Sequence, residues 1–409
     1  MSRVVVTGLG AVTPIGNNVN DFWNSLVSGK CGIDFITKCD TTDLKVKVAA
    51  EVKDFDPSKY IDKSLLRKTD MFTQYALVAT GEAMEDANLT EYNPEDVAVY
   101  YGSGIGGIGS FMREYEKFLE GGAKKVSPFM IPMMISNIAG GNIAIKYNAQ
   151  GPCVTTISAC ATGTNCIGEA YRAIKDGYVK VAIAGGAEAT IQPINIAGFT
   201  NCMALSTTED PKEASIPFDK RRNGFVMGEG AGTVILEDYE YAKARGARIY
   251  AEVVGYGNTC DAHHMTAPQP EGIGAANSIK MAIKEINITD DTKVYINAHG
   301  TSTPLNDKTE TKAIKTALGE KANSVMISST KSMTGHMLGA AGAVEAIACI
   351  KALNEDIVPP TIGYKEKDPE CDLDYVPNVA RKSKIDLAIS TSLGFGGHNA
   401  CLAFVREVK

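Results

Sequence analysis

Short apolar runs alternate with longer amphipathic stretches along the whole of this 409-residue chain, and that alternation restricts its fold more than any other feature. Runs at 3–7, 97–101, 154–157, 180–184 and 233–237 read as strands. A second set follows at 251–256, 294–297, 325–327, 387–391 and 401–405. Between them, 74–87, 164–176, 274–285, 307–318 and 342–353 read as helices. Strands and helices in alternation predict an α/β protein whose sheets are covered by helices. The halves before and after about residue 250 (1–250 and 251–409) share one rhythm of strand, turn and helix, with no Pro/Gly/Ser-rich linker between them. Glycines cluster at turns, at 102–109, 185–186, 335–342 and 394–397, which suits close backbone approach around a site.

Bulk composition narrows the function. Hydrophobic residues make up 44% and charged residues 22%, as in a soluble globular protein. A net charge of −7 argues against non-specific nucleic-acid binding but permits a local basic patch for an acidic partner. Ten cysteines without regular spacing do not make a disulfide framework, so a reducing cytoplasm is expected. The strand beginning at Val4 leads us to expect no signal or transit peptide, and no apolar stretch reaches the ~18 residues of a membrane span.

Cys160 has a setting that no other cysteine shares. The β-branched run 154–157 precedes it, small residues surround it, and Ile167, Ala170, Tyr171 and Ile174 mark one face of a following helix. A cysteine on such a turn meets unpaired N–H groups and the positive end of the helix dipole, both of which favour a thiolate. Surface dipole effects of ~0.3–1 kcal/mol move a thiol pKa of about 8.5 by less than one unit, so a histidine is expected to assist.

Five histidines offer few choices. His299 follows a strand in NAHGTST, and His336 precedes an alanine-rich helix in SSTKSMTGH. Both stand at strand ends among Gly, Ser and Thr, where α/β sheets place ligands. Together with Cys160 they favour one shared site. Lys331 lies five residues before His336, and Asp307 and Glu345 are candidate partners for it. Glu345 is flanked by Ala343, Val344, Ala346 and Ile347, and a carboxylate in so apolar a helix calls for a partner. Gly102–Gly107 fits G-x-G-x-x-G, but no second strand with an acidic end follows, so a dinucleotide site is weakly supported. Cys153, Cys160 and Cys166 include no C-x-x-C pair, so no metal is expected. Phe395 among glycines suits a mobile gate or a backbone donor to an oxyanion.

Taken together, these motifs resemble the β-ketoacyl-[acyl carrier protein] synthases of the thiolase superfamily. The resemblance runs from VVVTGLGAVTPIG (4–16) through GPCVTTISACATG (151–163), AGGAEA (184–189), FDKRRNGFVMGEGAG (218–232), YINAHGTSTP (295–304) and SSTKSMTGHMLGAAGAVEA (328–346) to GFGGHN (394–399). It implies a thiolase-like duplicated α-β-α-β-α five-layer fold, a homodimer and a catalytic Cys160, His299 and His336, with Lys331 behind them. It further implies an oxyanion hole made by the N–H groups of Cys160 and Phe395, with Asp307 and Glu345 supporting the histidines through Lys331. Thr301 and Thr303 match residues that bind the pantetheine arm, and Ile105, Phe199 and Phe395 match the walls and gate of the acyl pocket. The implied partner is an acidic acyl carrier protein, met by Arg67, Lys68, Lys124 and Lys125; no metal or organic cofactor is implied. At Met203, where some members carry arginine, the match fails.

Two histidines and Ile105 in GSGIGG resemble the elongating synthase II type, whereas initiating members use Cys-His-Asn. A thiolase would carry a second catalytic Cys in C-x-G-G-G, where this chain has Phe395-Gly396-Gly397. A polyketide ketosynthase shares the same site residues. A thioester hydrolase built on Cys160, His398 and Asn399 is an alternative of another class, as is a nicotinamide enzyme built on Gly102–Gly107.

Overall fold

The computed structural model describes residues 2–407. Val4–Val12 joins two halves of one ten-stranded sheet. It pairs antiparallel with Gly230–Asp238, and through Val4, Val5 and Val6 also with Ala251–Cys260. Outward on one side lie Gly230–Asp238, Val181–Glu188, Val97–Gly102 and Cys153–Val154. Outward on the other lie Ala251–Cys260, His398–Val405, Leu387–Gly394, Val294–Asn297 and Met326–Ser328. Numbered in chain order within its own half, each set of five reads 3-2-4-5-1 from its outer edge. Strand 2 is parallel to 3 and to 4, and strand 5 is antiparallel to 4 and to 1, in both halves. Two five-strand units with one topology and one set of directions are what a duplication leaves behind.

Helices fill three layers around these units. Thr162–Lys175 and Ala341–Glu355 lie in the middle, packed on each other and on strands of both halves. Met71–Asp86 covers the outer face of the first half, and Ile273–Ala282 with Pro304–Leu318 covers the second. The small residues of the middle helices let their backbones meet. A Cβ on Gly163 would stand 2.8 Å from Ala343 N, and one on Gly342 would stand 2.8 Å from Thr164 N. Asp70 caps Met71–Asp86 by accepting from Phe72 N, and Thr303 caps Pro304–Leu318 by accepting from Asn306 N.

The expected helices are present, each beginning one to three residues earlier than expected. One strand differs. Of the run 154–157 only Cys153–Val154 is a strand, at the outer edge of the sheet. Val154 and Ile157 are 46% and 53% exposed, so this apolar run faces away from the core.

Candidate active site

Cys160 sits where the sequence places a turn. The short 3₁₀ segment Ala159–Ala161 runs directly into Thr162–Lys175, and Ala159 takes φ +50°, a left-handed conformation costly for a residue with a β-carbon. Cys160, His299 and His336 line one cavity of about 320 Å³ together with Phe199, Thr301, Thr303, Leu338 and Phe395.

Two backbone N–H groups reach the Cys160 sulfur, its own and that of Phe395. Glycine at 394 permits this approach, since a Cβ there would lie 2.7 Å from Ser158 O and 3.3 Å from Cys160 N. Burial pushes the Cys160 thiol up to about 12, although Lys331 and the Phe395 N–H pull the other way. Burial thus outweighs the favouring of the thiolate that the turn's N–H groups provide. A surface dipole effect is small beside full desolvation, so the resting sulfur keeps its proton at neutral pH.

The rings of His299 and His336 stand 5.2 Å apart at 87°. Burial, and then the charge of Lys331, holds both well below the usual imidazole range, and His336 adds to the effect on His299. Both are therefore neutral at pH 7, each with one N–H and one lone pair. His299 Nδ1 and both ring nitrogens of His336 are buried without a protein partner among the described residues. Such atoms are ready to serve a substrate oxygen. His336 is fixed through its backbone, donating to Val226 O at 2.7 Å and accepting from Gly228 N at 2.9 Å, and Phe225 packs edge-on to its ring at 5.2 Å. The segment 218–232 thus serves the site by bracing His336.

Behind the histidines, Lys331 is buried and ion-paired with Glu345, as the sequence suggests. Asp307 is not part of that pair. Its carboxylate accepts from Phe218 N at 2.8 Å and lies 3.6 Å from Arg222 Nε, and burial pushes it up to about 6. Arg222 also donates to Thr303 O and Pro304 O, so Asp307 and Arg222 brace the turn that presents Thr301 and Thr303. The acid that holds His299 is Glu310, absent from the sequence-based expectations. It accepts from His299 N and Gly300 N, both at 2.7 Å, and from the Thr391 hydroxyl at 2.7 Å. It sits one turn after Asp307 on the inward face, and the reasoning applied to Glu345 would have found it.

The glycine-rich turn after Val97–Gly102 does not cradle a phosphate. Gly104 N, Ile105 N and the Ser103 hydroxyl donate to the buried carboxylate of Glu188, which occupies that position. Burial pushes Glu188 up to about 7. Arg222 and Glu188, like Glu310, were not singled out by sequence. His398 is not among the cavity-lining residues; Asn399 is, but its Nδ2 donates to Asp261 Oδ1 at 2.8 Å, so the histidine that a Cys-His hydrolase on this pair needs is outside the cavity.

Ile105 and Phe199 join an apolar cluster around Cys160 with Leu338, Phe225 and Ile196. The Phe199 ring lies 6.3 Å from Phe395 and 5.5 Å from Phe225. The Thr301 and Thr303 hydroxyls are 3.0 Å apart at the cavity wall. Arg67, Lys68, Lys124 and Lys125 are exposed, and Lys68 Nζ lies 5.3 Å from the Phe129 ring, which brings these two basic segments onto one surface. None of the four lines the cavity, whereas Met203, 90% exposed, does.

Comparison with known proteins agrees with this geometry. Residues 1–242 match the N-terminal domain of beta-ketoacyl synthase and residues 250–365 its C-terminal domain. The chain is 51% identical over 405 residues to a 3-oxoacyl-[acyl-carrier-protein] synthase 2 of Synechocystis sp., covering 98% of this chain and 97% of that one. It is 49% identical over 404 residues to the enzyme of the same name from Staphylococcus aureus, covering 98% of each. Among solved structures, a ketosynthase in complex with its type II polyketide acyl-carrier protein superposes with a TM-score of 0.93 at 35% identity, covering all of both chains. A beta-ketoacyl synthase from Burkholderia phymatum gives 0.92 at 34%, again over both whole chains. With cysteine and paired histidines converging from the two halves of a duplicated thiolase-like fold, and near-complete coverage at about half identity, the chain belongs to the β-ketoacyl synthase family.

Proposed function

We propose that the protein is an elongating 3-oxoacyl-[acyl carrier protein] synthase II, an acyltransferase of fatty acid synthesis. The observation that carries this reading is the pairing of a sulfur met by two backbone N–H groups with two buried, neutral imidazoles in one cavity. The acyl group of an acyl-carrier protein passes to Cys160. The thiol gives up its proton, a C–S bond forms at the thioester carbonyl, and the carrier leaves as its own thiol. The N–H groups of Cys160 and Phe395 hold the developing oxyanion, each worth about 2.7–4 kcal/mol in comparable sites. Malonyl-carrier protein follows, with its pantetheine arm along Thr301 and Thr303. Loss of carbon dioxide leaves a thioester enolate, whose oxygen takes hydrogen bonds from His299 and His336. The enolate carbon attacks the acyl carbonyl, the C–S bond to Cys160 breaks with its electron pair on sulfur, a 3-oxoacyl thioester two carbons longer departs, and the sulfur takes up a proton from water. The sequence balances without an electron acceptor or a metal.

Neutral imidazoles suit this role because an enolate needs donors that hold it without protonating it. Burial keeps them neutral, and Lys331, paired with Glu345, adds to it. The polyketide alternative uses the same residues. The relatives at 49–51% identity are named 3-oxoacyl-[acyl-carrier-protein] synthase 2, while a polyketide ketosynthase stands at 35%.

Arg67, Lys68, Lys124 and Lys125 belong to the carrier-docking surface in this reading, and the cytoplasm is the compartment. The boundary between the halves falls near residue 250. A second copy covers the exposed edge strand, giving a homodimer. In a His299→Ala, His336→Ala double variant, acyl-Cys160 is expected to accumulate while malonyl-carrier protein stays carboxylated. Turnover by the double variant, read as free acid or as condensed product, would overturn the assignment.

A further inference from the structure

Among the buried carboxylates that the mechanism leaves unused, Glu188 stands beside the cluster around Cys160. Glu188 ends the strand Val181–Glu188 and is fully buried. Its Oε1 accepts from the Ser103 hydroxyl at 2.9 Å and from Ile105 N at 3.2 Å. Its Oε2 accepts from Gly104 N and Gly339 N, both at 2.9 Å. All four donors are neutral, and they come from two segments remote in sequence. One carries Ile105; the other follows Leu338, three residues beyond His336. The two segments touch at this carboxylate, since a Cβ on Gly339 would lie 2.4 Å from Gly104 N and 2.9 Å from Glu188 Oε2.

Ile105 and Leu338 both belong to the apolar cluster around Cys160. An alkyl chain carried on the Cys160 sulfur has to run into that cluster, and a longer chain has to displace what stands there. Among the described residues, Glu188 is the one side chain that accepts from the Ile105 backbone. We propose that Glu188 is a positioning residue that clamps the Ile105 turn to the Leu338–Gly339 turn and thereby sets the acyl lengths that Cys160 accepts. The inference rests on Cys160 being the acyl acceptor.

A carboxylate fits this place because two oxygens each take two donors. Glutamine has one oxygen, and its NH₂ would confront two N–H or O–H groups. Glu188→Gln therefore releases one side of the clamp at nearly constant volume. The experiment compares kcat/KM for hexadecanoyl- and hexanoyl-carrier protein in the wild type, Glu188→Gln and Ser103→Ala. The ratio of long to short donor is expected to rise about fivefold in Glu188→Gln, the worth of one neutral hydrogen bond. Ser103→Ala removes one donor while keeping the carboxylate, so a smaller rise is expected, and it decides the matter if Glu188→Gln does not fold. An unchanged ratio, or an equal slowing with both donors, would reduce Glu188 to a structural group and overturn the proposal. A wild type that neither donor acylates at Cys160 would instead sink the assigned activity.

Discussion

At the scale of single residues, the site works by burying groups that would be ordinary in water. Lys331 and Glu345 are each almost wholly buried and ion-paired with one another. Removing one partner of such a pair typically costs about 3–5 kcal/mol, because the other charge is stranded. Lys331→Met is expected to lose that much in urea unfolding, with a pH signature. Burial already raises the Glu345 carboxyl and Lys331 lowers it, so the variant raises it further. A carboxyl raised on folding contributes stability that is present at low pH and lost as pH rises through the folded value. The deficit should be smaller at pH 5.5 than at pH 8. The imidazoles of His299 and His336 should also titrate higher than in the wild type, as read by NMR, since Lys331 lowers both. An equal deficit at both pH values would contradict this electrostatic account.

At the scale of elements, the sequence was most legible where one period dominates. The helices containing Ile167, Ala170 and Ile174 and Val344, Ile347 and Ile350 follow from apolar spacing, and both pack in the central layer. The run 154–157 misled because β-branched composition marks a strand without saying what covers it. Here the strand is short, lies at the sheet edge, and turns apolar side chains outward. Cys160, His299, His336 and Lys331 were legible because each stands beside glycines or small polar residues at a strand end. Glu310, Arg222 and Glu188 were not, because their partners are backbone groups distant in sequence, such as Gly300 N, Pro304 O and Gly339 N. Asp307 was offered with Glu345 as a partner for Lys331, and three-dimensional packing gives it Arg222 instead. The Cys160 thiol shows the same limit: the turn was visible, and the burial that outweighs it was not.

At the scale of the molecule, duplication divides the labour. The first half supplies Cys160, just before its middle helix, and the second supplies both histidines and Phe395. The cavity forms where the halves meet. The outer edge of the first half ends in Cys153–Val154, an exposed strand rimmed by apolar side chains. Such an edge is an aggregation hazard unless a partner covers it. A second copy of the chain is the expected cover, so the wild type should sediment as a dimer and a Val154→Asp, Ile157→Asp variant as a monomer. A variant that remains dimeric would place the interface elsewhere.

The acylation of Cys160 is open to direct reading by intact-protein mass spectrometry. The protein is mixed with hexadecanoyl-carrier protein, and malonyl-carrier protein is then added. The wild type should gain a hexadecanoyl group that Cys160→Ala does not, and malonyl-carrier protein should discharge it as a 3-oxoacyl thioester two carbons longer. Discharge only to free hexadecanoic acid, or no acylation by any chain of four to sixteen carbons, would contradict the assignment of a condensing enzyme.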